Sequence, residues 1–128
     1  MTLTKKTSAA SDRAPVAAAL RALLEPYAAS LNEVENSRWG YCLETGYVAA
    51  FKRPLFVAGV REGKAYVSYY LMPVYACPDL LKGMSPQLKK HMQGKSCFNF
   101  KQVDRELFAE LKTLTRQSFA RFRKEGYV

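Results

Sequence analysis

The segment AYVSYYLM at residues 65–72 constrains this chain most, because both of its alternating faces are apolar. A strand points successive side chains to opposite sides. Val67, Tyr69 and Leu71 therefore share one face, while Tyr66, Ser68, Tyr70 and Met72 share the other. Such a strand is read as central, with helices over one side and a covered or ligand-lined surface on the other. The segments around it have the same aromatic and β-branched character and predict strands at Trp39–Leu43, Tyr47–Phe51, Leu55–Val60 and Lys95–Phe100. The turn Arg61–Lys64 joins two of these strands, with Gly63 supplying the backbone freedom a tight hairpin needs.

Helical periodicity brackets this region. Ala14–Tyr27 carries Val16, Leu20, Leu23, Leu24 and Tyr27 as an apolar stripe, with Pro15 near its start and Pro26 bending or ending it. Ala28–Ser37 is mixed and is read as a short helical turn. Pro78–Leu81 and Pro86–Met92 read as short helices, the second capped by Ser85 with Pro86 at its first position. In the last helix Asp104 caps the start, and Leu107, Leu111, Leu114, Ser118 and Phe122 run along one face. Phe108, Thr115 and Phe119 lie beside them, and Gly126 closes the end. The order predicts an α+β fold, an antiparallel sheet of about four to five strands packed against N- and C-terminal helices. Residues 1–13 are read as a flexible tail and 14–128 as one domain. Monomer and homodimer are both compatible with this, an exposed sheet edge being one route to a dimer.

Several function classes drop out. No apolar run approaches the roughly 20 residues that cross a bilayer, so no membrane association is expected. Cys42, Cys77 and Cys97 form no CxxC pair and no even set, which argues against a secreted disulfide framework and for a cytoplasmic location. A zinc site would need Cys42, Cys77, His91 and Cys97 to converge from across the chain, and small buried thiols are the simpler reading. Phosphate-binding, dinucleotide-binding and common hydrolase motifs are absent. Gly94-Lys95-Ser96 has only the end of a phosphate loop and reads as a turn into CFNF. A Cys97 nucleophile activated by His91 lacks any spacing that positions it. No catalytic residue and no cofactor are expected.

Charge is more informative. The chain has 20 basic and 11 acidic residues, and residues 80–128 carry +7 of its formal +9. A C-terminal helix bearing Arg105, Lys112, Arg116 and Arg123 opposite its leucines is either a solvated face or a weak nucleic-acid surface. The aromatic residues Trp39, Tyr41, Tyr66, Tyr69, Tyr70 and Tyr75 are mostly core, yet eight tyrosines leave room for a polar-rimmed pocket.

Arg38-Trp39-Gly40, YVSYYLMPVY at 66–75, SPQLKKHMQGKSCFNF at 85–100 and the ending through Leu107, Leu111, Leu114, Phe119 and Gly126 together resemble the YdhG-like family, the domain of unknown function 1801. The resemblance covers roughly residues 15–127 and implies a compact α/β fold with an antiparallel sheet. It supplies no catalytic motif. Some relatives are described as frataxin-like intracellular iron chaperones, a role that implies clustered oxygen ligands. Glu33 and Glu35, with Glu25 nearby, are the residues here that match that requirement.

These observations lead to a non-catalytic binding or accessory protein for a small anionic or aromatic ligand. Trp39, Tyr69 and Tyr70 are expected to supply stacking or apolar contact, and Lys95 with Arg38 to pair an anion. Weak nucleic-acid association through the C-terminal basic face and iron handling through Glu33 and Glu35 are the alternatives.

Overall fold

The alternation of residues 67–71 is realised as a strand inside a six-stranded antiparallel sheet. The computed structural model describes the backbone of residues 3–128 and the side chains of residues 13–128. The strands are β1 (Asn32–Asn36), β2 (Gly40–Val48), β3 (Arg53–Glu62), β4 (Val67–Leu71), β5 (Met92–Gln93) and β6 (Cys97–Phe100), in the spatial order β1-β2-β3-β4-β6-β5. The long helices are α1 (Leu3–Leu24) and α4 (Arg105–Lys124), and the short ones are α2 (Met72–Ala76) and α3 (Pro86–Lys89). Residues 1–2 of the expected tail lie outside the described residues, and α1 takes in the remainder. Among the described residues, no helix is long and apolar enough to cross a membrane.

The sheet has six strands where about four to five were expected, α3 ends at Lys89 with Met92 in β5 instead of in the helix, and further strand expectations change. Asn32–Asn36 is an edge strand rather than a helical turn, because β2 offers it a ladder of backbone partners that no local pattern announces. The segments expected as Trp39–Leu43 and Tyr47–Phe51 merge into one strand, β2, which ends at Val48 and leaves Ala49–Phe51 in the turn that follows. Its pairing with β3 is irregular between Leu43 and Tyr47, and there Thr45 Oγ1 accepts the Leu55 N–H at 2.9 Å, which bridges the break. The β3–β4 connection is wider than a tight hairpin, and Gly63 needs no positive φ. Left-handed glycines stand instead at Gly94 and Gly126.

The two long helices cover one face. Val16, Leu20 and Leu24 of α1 and Leu111, Phe119 and Phe122 of α4 pack on Tyr41, Leu43, Val60, Tyr69, Leu71, Phe98 and Phe100. In β3 the register skips Val57 between Phe56 and Ala58, so Val57 and Ala58 are both fully buried. The opposite face carries Cys42, Phe56, Tyr70 and Cys97, all half-buried, and among the described residues the core faces of α1 and α4 pack on the other side.

Local signals at the helix ends hold. Asp104 Oδ1 accepts the Leu107 N–H at 3.1 Å, and Ser85 Oγ accepts the Leu88 N–H at 3.1 Å. Gly126, at φ +84°, donates to the Arg123 carbonyl while Tyr127 donates to that of Phe122, and the two aromatic rings meet edge-on at 5.2 Å. This double closure with its hydrophobic contact is the Schellman arrangement. In the core, the hydroxyls of Tyr69 and Thr115 lie 2.6 Å apart, and both residues are fully buried.

Tyr69→Phe leaves the Thr115 hydroxyl without its partner and is expected to cost about 1–3 kcal/mol. Urea unfolding measures it, and Thr115→Val added to that variant is expected to recover part of the loss.

Candidate functional site

The expected ligand residues do not come together. Tyr69 has no exposed surface, and its phenol, pushed well up by burial, is spent on Thr115, so it is a core residue and not a ligand contact. Tyr70 faces the helix-free side, edge-on to Phe56 at 6.2 Å. Trp39 is half exposed just ahead of β2, with the Arg38 guanidinium 4.5 Å over its ring. Lys95 stands in the β5–β6 turn. Three strand spacings separate β2 from β6, about 14 Å, and because these two strands run in opposite directions, Trp39 and Lys95, each ahead of its strand, lie toward opposite ends of the sheet. Arg38 and Lys95 therefore cannot share one small anion.

Lys95 belongs to a different site. Pro73, lacking an N–H, cannot extend the ladder of β4, and the chain leaves the sheet there for α2, the turn Pro78–Leu81 and α3 before returning as β5. This excursion folds around a cleft of about 530 Å³ lined by Val74, Tyr75, Pro78, Leu81, Met84 and Met92. Lys82, Lys89 and Lys95 reach its rim. Gly94, at φ +77°, turns the chain so that Lys95 Nζ stands 5.9 Å from the centre of the Tyr75 ring. No carboxylate lines the cleft, and none of the three lysines joins an ion pair among the described residues. Asp79, in the same turn, is taken by Arg121 at 2.6 and 3.2 Å, and that bond holds its carboxyl below the usual range. The arrangement can hold an apolar body against thioether, aliphatic and aromatic walls while its negative charge meets lysines in water.

The helix-free sheet face has a hollow of about 200 Å³ around Gly59, bordered by Cys42, Phe56 and Tyr70. Cys42, Gly59, Tyr70 and Cys97 form one row across four strands. Burial is the main reason that both thiols sit above their ordinary range, the opposite of an activated nucleophile. His91 does not serve Cys97. Its Nδ1 lies 2.8 Å from the Asn99 carbonyl oxygen, to which it donates, and its ring stacks on Phe100 at 4.6 Å. Cys97 donates to Asn99 Oδ1, which also accepts from Ser68. Among the described residues no three metal-ligating side chains gather, so the four-residue zinc set stays apart.

Glu33 and Glu35 point to opposite faces of β1, because the bulge between them pairs Glu33 with Leu43 and Glu35 with Cys42. Glu33 accepts from the Tyr41 hydroxyl at 2.7 Å, and Glu35 pairs with Arg61 at 2.8 Å. They share no site. Arg105, Lys112, Arg116 and Arg123 are all exposed on α4.

Tyr75, Lys82, Lys89, Met84 and Met92 are the site residues that the sequence pattern does not disclose. Their only signal was the lysine excess after residue 80 together with Tyr75 in the aromatic set, since the segment that gathers them has no sustained period.

The Tyr41 phenol is pushed up to about 12, first by burial and then by its bond to Glu33 and the charge of that residue. An acid raised in the folded state stabilises the fold fully below its unfolded value and loses that contribution as pH rises through the folded value. Stability is expected to fall between pH 10 and about 12, and Tyr41→Phe to make that fall shallower while Tyr69 continues to contribute in the same direction. Chemical denaturation at stepped pH reads both slopes.

No family model, curated protein or solved structure matches this chain.

Proposed function

We propose that this is a non-catalytic binding protein for a small organic anion with an apolar or aromatic body, held in the cleft beside Tyr75. The observation that carries the reading is the set of three unpaired lysines around an apolar floor with no carboxylate among the lining residues. Three cations on one rim with no lining carboxylate make the cleft a positive field that favours an anion. The proposed affiliation with the YdhG-like family and a cytoplasmic location, where unbridged thiols persist, are consistent with this reading. The iron alternative is weaker, because Glu33 and Glu35 are each engaged and face apart.

Magnitudes set the probe. A ring withdrawing about 100 Å² of apolar surface gains about 2.5 kcal/mol, and exposed lysines add about 0.2–1 kcal/mol each. That corresponds to about millimolar affinity for a fragment. Titration of the protein with 2-naphthalenesulfonate, followed by amide NMR, is expected to shift residues of Val74–Lys95. Tyr75→Ala and the pair Lys89→Ala/Lys95→Ala are each expected to weaken binding about tenfold, and Tyr70→Ala to leave it unchanged. Shifts centred on Phe56 and Tyr70, or none at all, would show the reading to be wrong.

A further inference from the structure

Helix α4 sorts its charges around its circumference. At about 100° per residue, Arg105, Lys112, Arg116 and Arg123 fall within about 20° of a single line along the helix. That line is about 27 Å long. Glu106, Glu110 and Arg121 lie on another flank, the one turned toward the Pro78–Leu81 turn and α3. Two of the charges there have partners across the flank. Glu110 accepts from the Ser85 hydroxyl at 2.6 Å and from its N–H at 2.7 Å, and Arg121 holds Asp79.

The basic line has no such partners. It borders the Phe119 side of α4, where Phe119 stacks on Tyr27 at 4.1 Å just beyond α1. The described exposed positions of α1 are Ala14, Pro15, Ala18 and Ala22, all uncharged. None of the four cations is in an ion pair among the described residues.

We propose that this stripe lies along the phosphate backbone of double-stranded nucleic acid and binds it without reading sequence. Unpaired lysine and arginine in a row displace condensed counterions from a polyphosphate, which is the main source of non-specific affinity. A straight run of about 27 Å matches about eight base pairs of rise. Ala109 and Ala120 beside the line are exposed and small, so the helix can approach closely. A duplex is favoured over a single strand because single-strand sites offer rings on which bases stack. Phe108, Phe119 and Phe122 of α4 are all buried in the core. The stripe is separate from the lysine cleft, whose residues belong to the segment packed on the other flank of α4.

The test is fluorescence anisotropy of the full chain with a labelled DNA duplex of about 20 base pairs and arbitrary sequence across a salt series. Four phosphate contacts predict that log affinity falls against log salt with a slope of about −3.6. Lys112→Ala/Arg116→Ala, checked for helicity by circular dichroism, is expected to make that slope shallower by about 2. Lys89→Ala/Lys95→Ala is expected to leave it unchanged. Absence of binding at low salt, a slope unmoved by the α4 pair, or a slope cut by the cleft pair instead would each overturn the proposal. Equal or tighter binding to single-stranded DNA of the same length, or stronger binding to a sulfated polysaccharide at equal charge, would overturn it as well.

Discussion

The roll of α4 about its own axis is set by its buried face, where Leu111, Phe119 and Phe122 pack on the sheet around the hydrogen bond between the hydroxyls of Tyr69 and Thr115. Tyr69 comes from an interior strand of the sheet and is fully buried, and Thr115 faces it. A roll of one residue, about 100°, would bring Arg116 to that position, and burying an unpaired cation costs several kcal/mol. Everything exposed by α4 follows from that setting. It places Glu110 at Ser85, Arg121 at Asp79 and the four-residue basic line on the opposite flank.

The second determinant is Pro73. Because it ends the ladder of β4, the chain makes a detour between β4 and β5, and this detour is packed against the acid-bearing flank of α4. The two positive regions are thereby kept apart and differ in kind. One is concave and apolar-floored, suited to a molecule that fits inside it. The other is convex and linear, suited to a polymer.

Much of this fold was legible because its signals are local. The caps at Ser85 and Asp104, the Gly126 closure and the α4 stripe of Leu107, Leu111, Leu114 and Phe122 all depend on residues within a turn or two of each other. β1 was not legible, since Asn32–Asn36 becomes a strand only by pairing with β2, and the unity of β2 depends on Thr45 reaching Leu55 across the register break. Alternation separated Tyr69 from Tyr70 correctly, but it does not tell which face the helices will cover. The cleft was hidden for a further reason: its walls come from α2, α3, two turns and β5, each too short to show a period.

β1 is interrupted by a bulge and carries Glu33 and Glu35, while β5 on the far side is only two residues long. Neither border presents a long, flat, uncharged row of free backbone groups, so another chain finds little to extend. A protein with one bare sheet face is thus protected where sheets most readily polymerise. Loss of the acids from β1, or lengthening of β5, would leave an edge more open to pairing with another chain.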